Sequence, residues 1–209
     1  MTTYKEIKGT QIEAVATDPS NPVEGQVWYN TTSNVLKGQG ATTSGSWSTQ
    51  NSMNTARQAL GGSGSSTAAL AFAGVGGGPT NDPQDVTELW NGTNWTEVND
   101  LNTARGYVGG SGTSTSTLAF GGNSPNKTET ELWNGTNWTE VNDLNIGASQ
   151  PGSAGVDSTS ALAFGGSPYP TRADKCESWN GTNWTEVNDL TTARSALGSA
   201  GIALSLIHI

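Results

Sequence analysis

The twelve residues WNGTNWTEVNDL occur three times without a change, at 90–101, 133–144 and 179–190. An unchanged internal repeat constrains this chain more than any other feature, because identical copies must meet equivalent surroundings, and equivalent units stack. The second tryptophan of each copy is Trp95, Trp138 or Trp184, and a degenerate earlier copy (SGSWSTQNSMNTAR) supplies Trp47, so the steps are 48, 43 and 46 residues.

Two further landmarks share this period. One is an apolar run, LAFAG then LAFGG twice, carrying Phe72, Phe120 and Phe164. The other follows the motif: NTAR at 54–57 and 102–105, and TTAR at 191–194. The third unit departs and reads NIGA at 145–148. From each second tryptophan to the next phenylalanine the chain takes 25, 25 and 26 residues, but from that phenylalanine to the next first tryptophan it takes 18, 13 and 15. A constant interval marks packed elements. A variable one marks a surface loop, whose closure entropy grows slowly with length.

TELW, NGTN and WTEV read as two short strands about a turn, with Asn-Gly supplying the positive φ that tight hairpins need. The pairs Trp90/Trp95, Trp133/Trp138 and Trp179/Trp184 then face each other across the ladder. STLAFGG is an apolar strand ended by glycines, and ARGYVGGSG is a glycine-rich strand suited to converging backbones. No window sustains a period of 3.6 residues, so almost no helix is expected. Each unit becomes four strands: a (glycine-rich), b (LAF), c (ELW) and d (WTEV). One such sheet cannot bury its faces alone. Stacked sheets of this period are the signature of a β-propeller.

Composition narrows the function. The net charge of −9 disfavours phosphate backbones, so no nucleic-acid partner is expected. No run approaches the ~20 apolar residues of a membrane span, and the polar first 22 residues do not read as a signal peptide. Cys176 replaces Thr87 and Thr130 of the other units and reads as a small residue beside a strand. The single histidine, His208, cannot build a metal cluster or a catalytic triad, so no cofactor is expected.

LAFGG, ELW, NWTEVNDL and NTAR, taken in order, resemble Kelch repeats over roughly residues 47–201. The departure is the c–d turn, which is shorter here than in Kelch units. The stretch GQVWYNTTSNVLKG resembles hairpins of bacteriophage tail and fibre proteins, and Kelch-like arrays behind such a leader resemble predicted virion proteins of marine phages. The resemblance implies an all-β chain with an irregular N-terminal leader (1–25). A partial Kelch-like β-propeller of about four blades follows over 26–209, with units near 26–57, 58–105, 106–148, 149–194 and 195–209. The closing SLIHI fits no earlier register, and a C-terminal truncation is expected. The alternative is a four-bladed ring in which 26–50 and 194–209 share a blade.

Alternating strands put the b–c and d–a connections on one edge. The b–c loops span 75–86, 123–128 and 167–175, and Asn126, Lys127, Tyr169 and Arg172 are their candidate contact residues. The alternative for these four is ordinary solvated turns. Trp47, Trp90, Trp95, Trp133, Trp138, Trp179, Trp184, Phe72, Phe120 and Phe164 recur with the period and read as framework, with sugar platforms the weaker alternative. Arg57, Arg105 and Arg194 recur too, which suits a salt bridge (Arg105 with Asp100, for instance) or a stack on tryptophan. The carboxylates Glu97, Glu140 and Glu186, with Asp100, Asp143 and Asp189, mark no single unit as an active site.

The expected function is that of a non-enzymatic virion protein contacting a host protein or surface glycan and other virion proteins. The alternative is an intracellular Kelch-like adaptor. A sialidase or copper oxidase lacks its residue sets here.

Overall fold

The computed structural model describes residues 4–7, 10–21, 26–38, 48–123, 127–167, 172–198, 201–202 and 205–206, and every regular element in them is a strand. The chain divides into two compact units, Met1–Thr49 and Gln50–Ile209.

In the first unit β1 (Tyr4–Ile7), β2 (Thr10–Val15), β3 (Val27–Asn30) and β4 (Val35–Gly38) form one sheet in that order. β2 and β3 run parallel, and the other neighbours antiparallel. Asp18 ties the sheet together. Its Oδ1 accepts from Trp28 Nε1 at 2.9 Å and Asn30 Nδ2 at 2.7 Å, and its Oδ2 pairs with Lys37 at 2.6 Å. These bonds, Lys37 first, pull the Asp18 carboxyl from 3.8 down to about 2. The leader over 1–25 is therefore partly regular, and the hairpin at 27–38 pairs with it instead of opening the first repeat. TQIEAV has too few apolar residues to announce a strand; its parallel neighbour, brought in from further along the chain, makes it one.

The second unit holds β5 (Arg57–Gln58), β6 (Gly61–Gly64), β7 (Ala69–Phe72), β8 (Val75–Gly76), β9 (Thr87–Trp90) and β10 (Trp95–Val98) in its first repeat. The second repeat has β11 (Gly109–Thr113), β12 (Ser116–Phe120), β13 (Thr130–Trp133) and β14 (Trp138–Val141). The third has β15 (Gly152–Asp157), β16 (Ser160–Phe164), β17 (Cys176–Trp179) and β18 (Trp184–Val187), followed by β19 (Gly201–Ile202) and β20 (Ser205–Leu206). Each repeat makes a four-stranded antiparallel meander: β6-β7-β9-β10, β11-β12-β13-β14 and β15-β16-β17-β18. β5 pairs separately with β8, and β19 with β20. The glycine-rich strands β6, β11, β15 and β19 pack against one another in succession.

That succession explains the glycines. Phe120 lies over Gly109 of its own sheet, where an added Cβ would sit 2.4 Å from the ring. Phe72 reaches across to Gly110 of the next sheet, where a Cβ would sit 2.7 Å from Cζ. Phe72 thus lies between the backbones of Gly61 in its own sheet and Gly110 in the next. Leu70, Phe72, Leu101, Trp133 and Trp138 fill the space between the first and second sheets. Leu118, Phe120, Leu144, Trp179 and Trp184 do the same between the second and third.

Candidate functional site

The repeated twelve residues form a joint that each copy makes with its neighbours. Within a copy, Asn91 Oδ1 accepts from the amides of Thr93 and Asn94, closing the c–d turn, and Gly92 takes a φ of 92°. The tryptophans pair in register, Trp90 with Trp95, and their rings lie 5.4 Å apart. Asp100 Oδ1 accepts from the Thr87 amide, and Trp90 Nε1 donates to the Ser66 carbonyl.

Between copies, Asn99 Nδ2 reaches the next turn, donating to the Thr136 carbonyl at 3.0 Å and Asn137 Oδ1 at 2.6 Å. Asn142 repeats this on Thr182 and Asn183. Trp138 Nε1 donates back to Thr87 Oγ1 while its ring meets Phe72 edge-on at 5.1 Å. Trp184 does likewise with Thr130 and Phe120. A copy therefore both gives and receives, so a change in one residue type would have to be matched in its neighbour. This is a physical reason for identity among the copies.

Two of the three recurring arginines are buried in ion pairs. Arg57 donates to Glu88 Oε1 through Nη1 and to the carbonyls of Ala73 and Ala71 through Nε and Nη2, and both side chains of the pair are fully buried. Burial opposes ionisation of Glu88, but the Asn54 amide, the Arg57 guanidinium and the Thr55 amide outweigh it and hold its pKa low. Arg105 meets Glu131, not Asp100, with 3.2 Å between Nη2 and Oε1. Burial lowers the Arg105 pKa, against the pull of Glu131 and Glu129. Its Nε and Nη1 have no hydrogen-bond partner among the described residues. Arg194 is exposed.

The glutamates are the residues that sequence reading missed. Their signal was present: Glu88, Glu131 and Glu177 stand second in TELW, TELW and CESW, a charge recurring inside an otherwise apolar strand. Glu177 is 3% exposed, and its Oε2 accepts from the amide and side chain of Asn145 while its Oε1 accepts from the Ile146 amide.

Of the four loop candidates, Lys127 pairs with Glu129 at 2.7 Å and Arg172 is exposed. Asn126 and Tyr169 lie outside the described residues, as do Trp47 and His208. Trp90 and Trp95 line a shallow open groove with Gln50, Ser65 and Ser66. The described residues contain no group of three or more His, Cys, Asp or Glu placed to hold a metal ion, and no helix long and apolar enough to cross a membrane. No protein-family model and no curated protein matches the chain.

Proposed function

We propose that the second unit is part of a Kelch-like β-propeller, and that the protein is a non-enzymatic binding component of a phage particle, in a tail or fibre. One observation carries the reading. The residues that join sheet to sheet are the same at both joints, while length varies chiefly in the b–c connections. The packing of β6, β11, β15 and β19 in succession supports a radial arrangement about an axis. A rigid frame with variable connections along one edge suits recognition. The virion assignment rests on the likeness of residues 25–38 to phage tail hairpins. The ligand would be a protein or glycan of a bacterial surface.

The test is binding of the purified full chain to intact bacterial cells and to a glycan array. A variant with the exposed residues 77–82 and Arg172 replaced by Gly/Ser of equal length serves as control. The expected result is saturable binding that weakens at least ~10-fold in the variant while the melting temperature holds, as for loops that carry contacts but little core. Equal binding by both forms would overturn the loop assignment. Absence of cell or glycan binding, together with failure of an antibody to label phage particles, would overturn the virion reading.

A further inference from the structure

The third repeat keeps the glutamate of the buried ion pair and loses the arginine. Ala148 stands where Arg57 and Arg105 stand. Its backbone is placed as theirs is: the amide of Ala148 donates to Lys127 and its carbonyl accepts from Gly122, as Arg105 bonds Gln84 and Gly74. The volume of the missing side chain is a cavity, lined by Ile146, Ala148, Ala163, Gly165, Lys175 and Glu177 among others. It encloses about 280 Å³ counted out to its open mouth.

The acceptors on the wall match a guanidinium. Arg57 bonds a carboxylate and the carbonyls of Ala71 and Ala73. The equivalent residues here are Glu177, Ala163 and Gly165, and all three line the cavity. The one cation on the wall is turned elsewhere among the described residues: Lys175 Nζ pairs with Glu186 at 3.1 Å and Asp189 at 2.8 Å. A buried carboxylate held by three N–H groups, with no ion pair among the described residues, favours an incoming planar cation with several donors.

We propose that the Ala148 cavity is a guanidinium-binding site, in which Glu177 pairs with a guanidinium supplied from outside the chain. The source is either a small free guanidinium compound or an arginine side chain of a partner.

The experiment is an amide NMR titration of the full chain with methylguanidinium chloride, against sodium and tetramethylammonium chloride at equal ionic strength. The expected result is a saturable shift of the Asn145 side-chain amide and the Ile146 amide with methylguanidinium alone. Ala148→Arg should abolish the response by filling the site from within, and should raise the melting temperature. Glu177→Gln should weaken binding at least tenfold. Should that variant fail to fold, Ala148→Leu blocks the cavity without touching the carboxylate and should also abolish the response. Lys175→Met should leave it in place. A response only in Lys175→Met would make Lys175 the resident cation and overturn the proposal. So would an equal response to tetramethylammonium, or a response that survives Ala148→Arg. A tripeptide centred on arginine that binds at least tenfold more tightly than methylguanidinium identifies a partner's arginine as the source; equal affinity identifies a free compound.

Discussion

At the scale of single residues, the strongest determinants are charges inside strands. An arginine and a glutamate buried together stabilise little against apolar replacements, yet removing one strands the other. Arg105→Met or Glu131→Gln alone should each cost about 3–5 kcal/mol by urea unfolding. The double substitution should cost less than their sum, because no uncompensated charge remains. Strict additivity would mean that the 3.2 Å contact couples nothing. Arg105 shows what a sequence discloses and what it hides. Recurrence with the framework left a salt bridge or a stack on tryptophan open, and Arg105 takes the first. The partner was not legible, because Asp100 is near in sequence but is taken by the Thr87 amide, and Glu131 arrives only when strand c folds onto strand b. Cys176 gives a second prediction. Burial pushes its thiol pKa up, so little reactive thiolate forms. Iodoacetamide at pH 8 should alkylate it slower by roughly two orders of magnitude than in urea. Comparable rates would show that this end of the third sheet opens readily.

At the scale of elements, the glycine-rich strands are legible as strands only through their neighbours. GGSGT has no apolar face, and its strand β11 exists because phenylalanines of two sheets cover it. Gly109→Ala should therefore cost about 1–3 kcal/mol, the range of overpacking, despite the higher β-propensity of alanine. A neutral result would mean that the Phe120 ring moves aside freely. The repeat hairpins were legible because the turn chemistry is local: Asn-Gly fixes the turn, and the tryptophan spacing fixes the register. The N-terminal sheet was not, because its central pairing is parallel and comes from chain segments separated by a long connection. Asp18 is its titratable clasp. The folded pKa lies below the unfolded one, so the contribution of ionised Asp18 is complete above pH 3.8 and is lost as pH falls through about 2. The Trp28 indole N–H resonance should titrate with a midpoint near 2, and Asp18→Asn should abolish that step. A midpoint at 3.8 would show that the three donors do not hold the carboxylate in solution.

At the scale of the whole molecule, the repeated motif sets how far unfolding spreads. Sheets that touch only their neighbours unfold as a chain of coupled units, with the joint as coupling constant. Trp138 makes the first joint by its edge contact with Phe72 and its bond to Thr87. Trp95 occupies the same position in the first copy but is only half-buried. Trp138→Ala should cost about 3–5 kcal/mol as a large buried aromatic. It should also uncouple the first sheet, so that amides of β7 and β9 exchange with solvent at a lower opening free energy than those of β12 and β13. Trp95→Ala should cost less and leave the two sheets exchanging together. The comparison separates two roles that the sequence leaves identical, since both tryptophans sit in the same twelve residues. If both substitutions gave the same loss and the same exchange pattern, the motif would stabilise each sheet from within, and its identity from copy to copy would need another cause than the fit of each copy to the next.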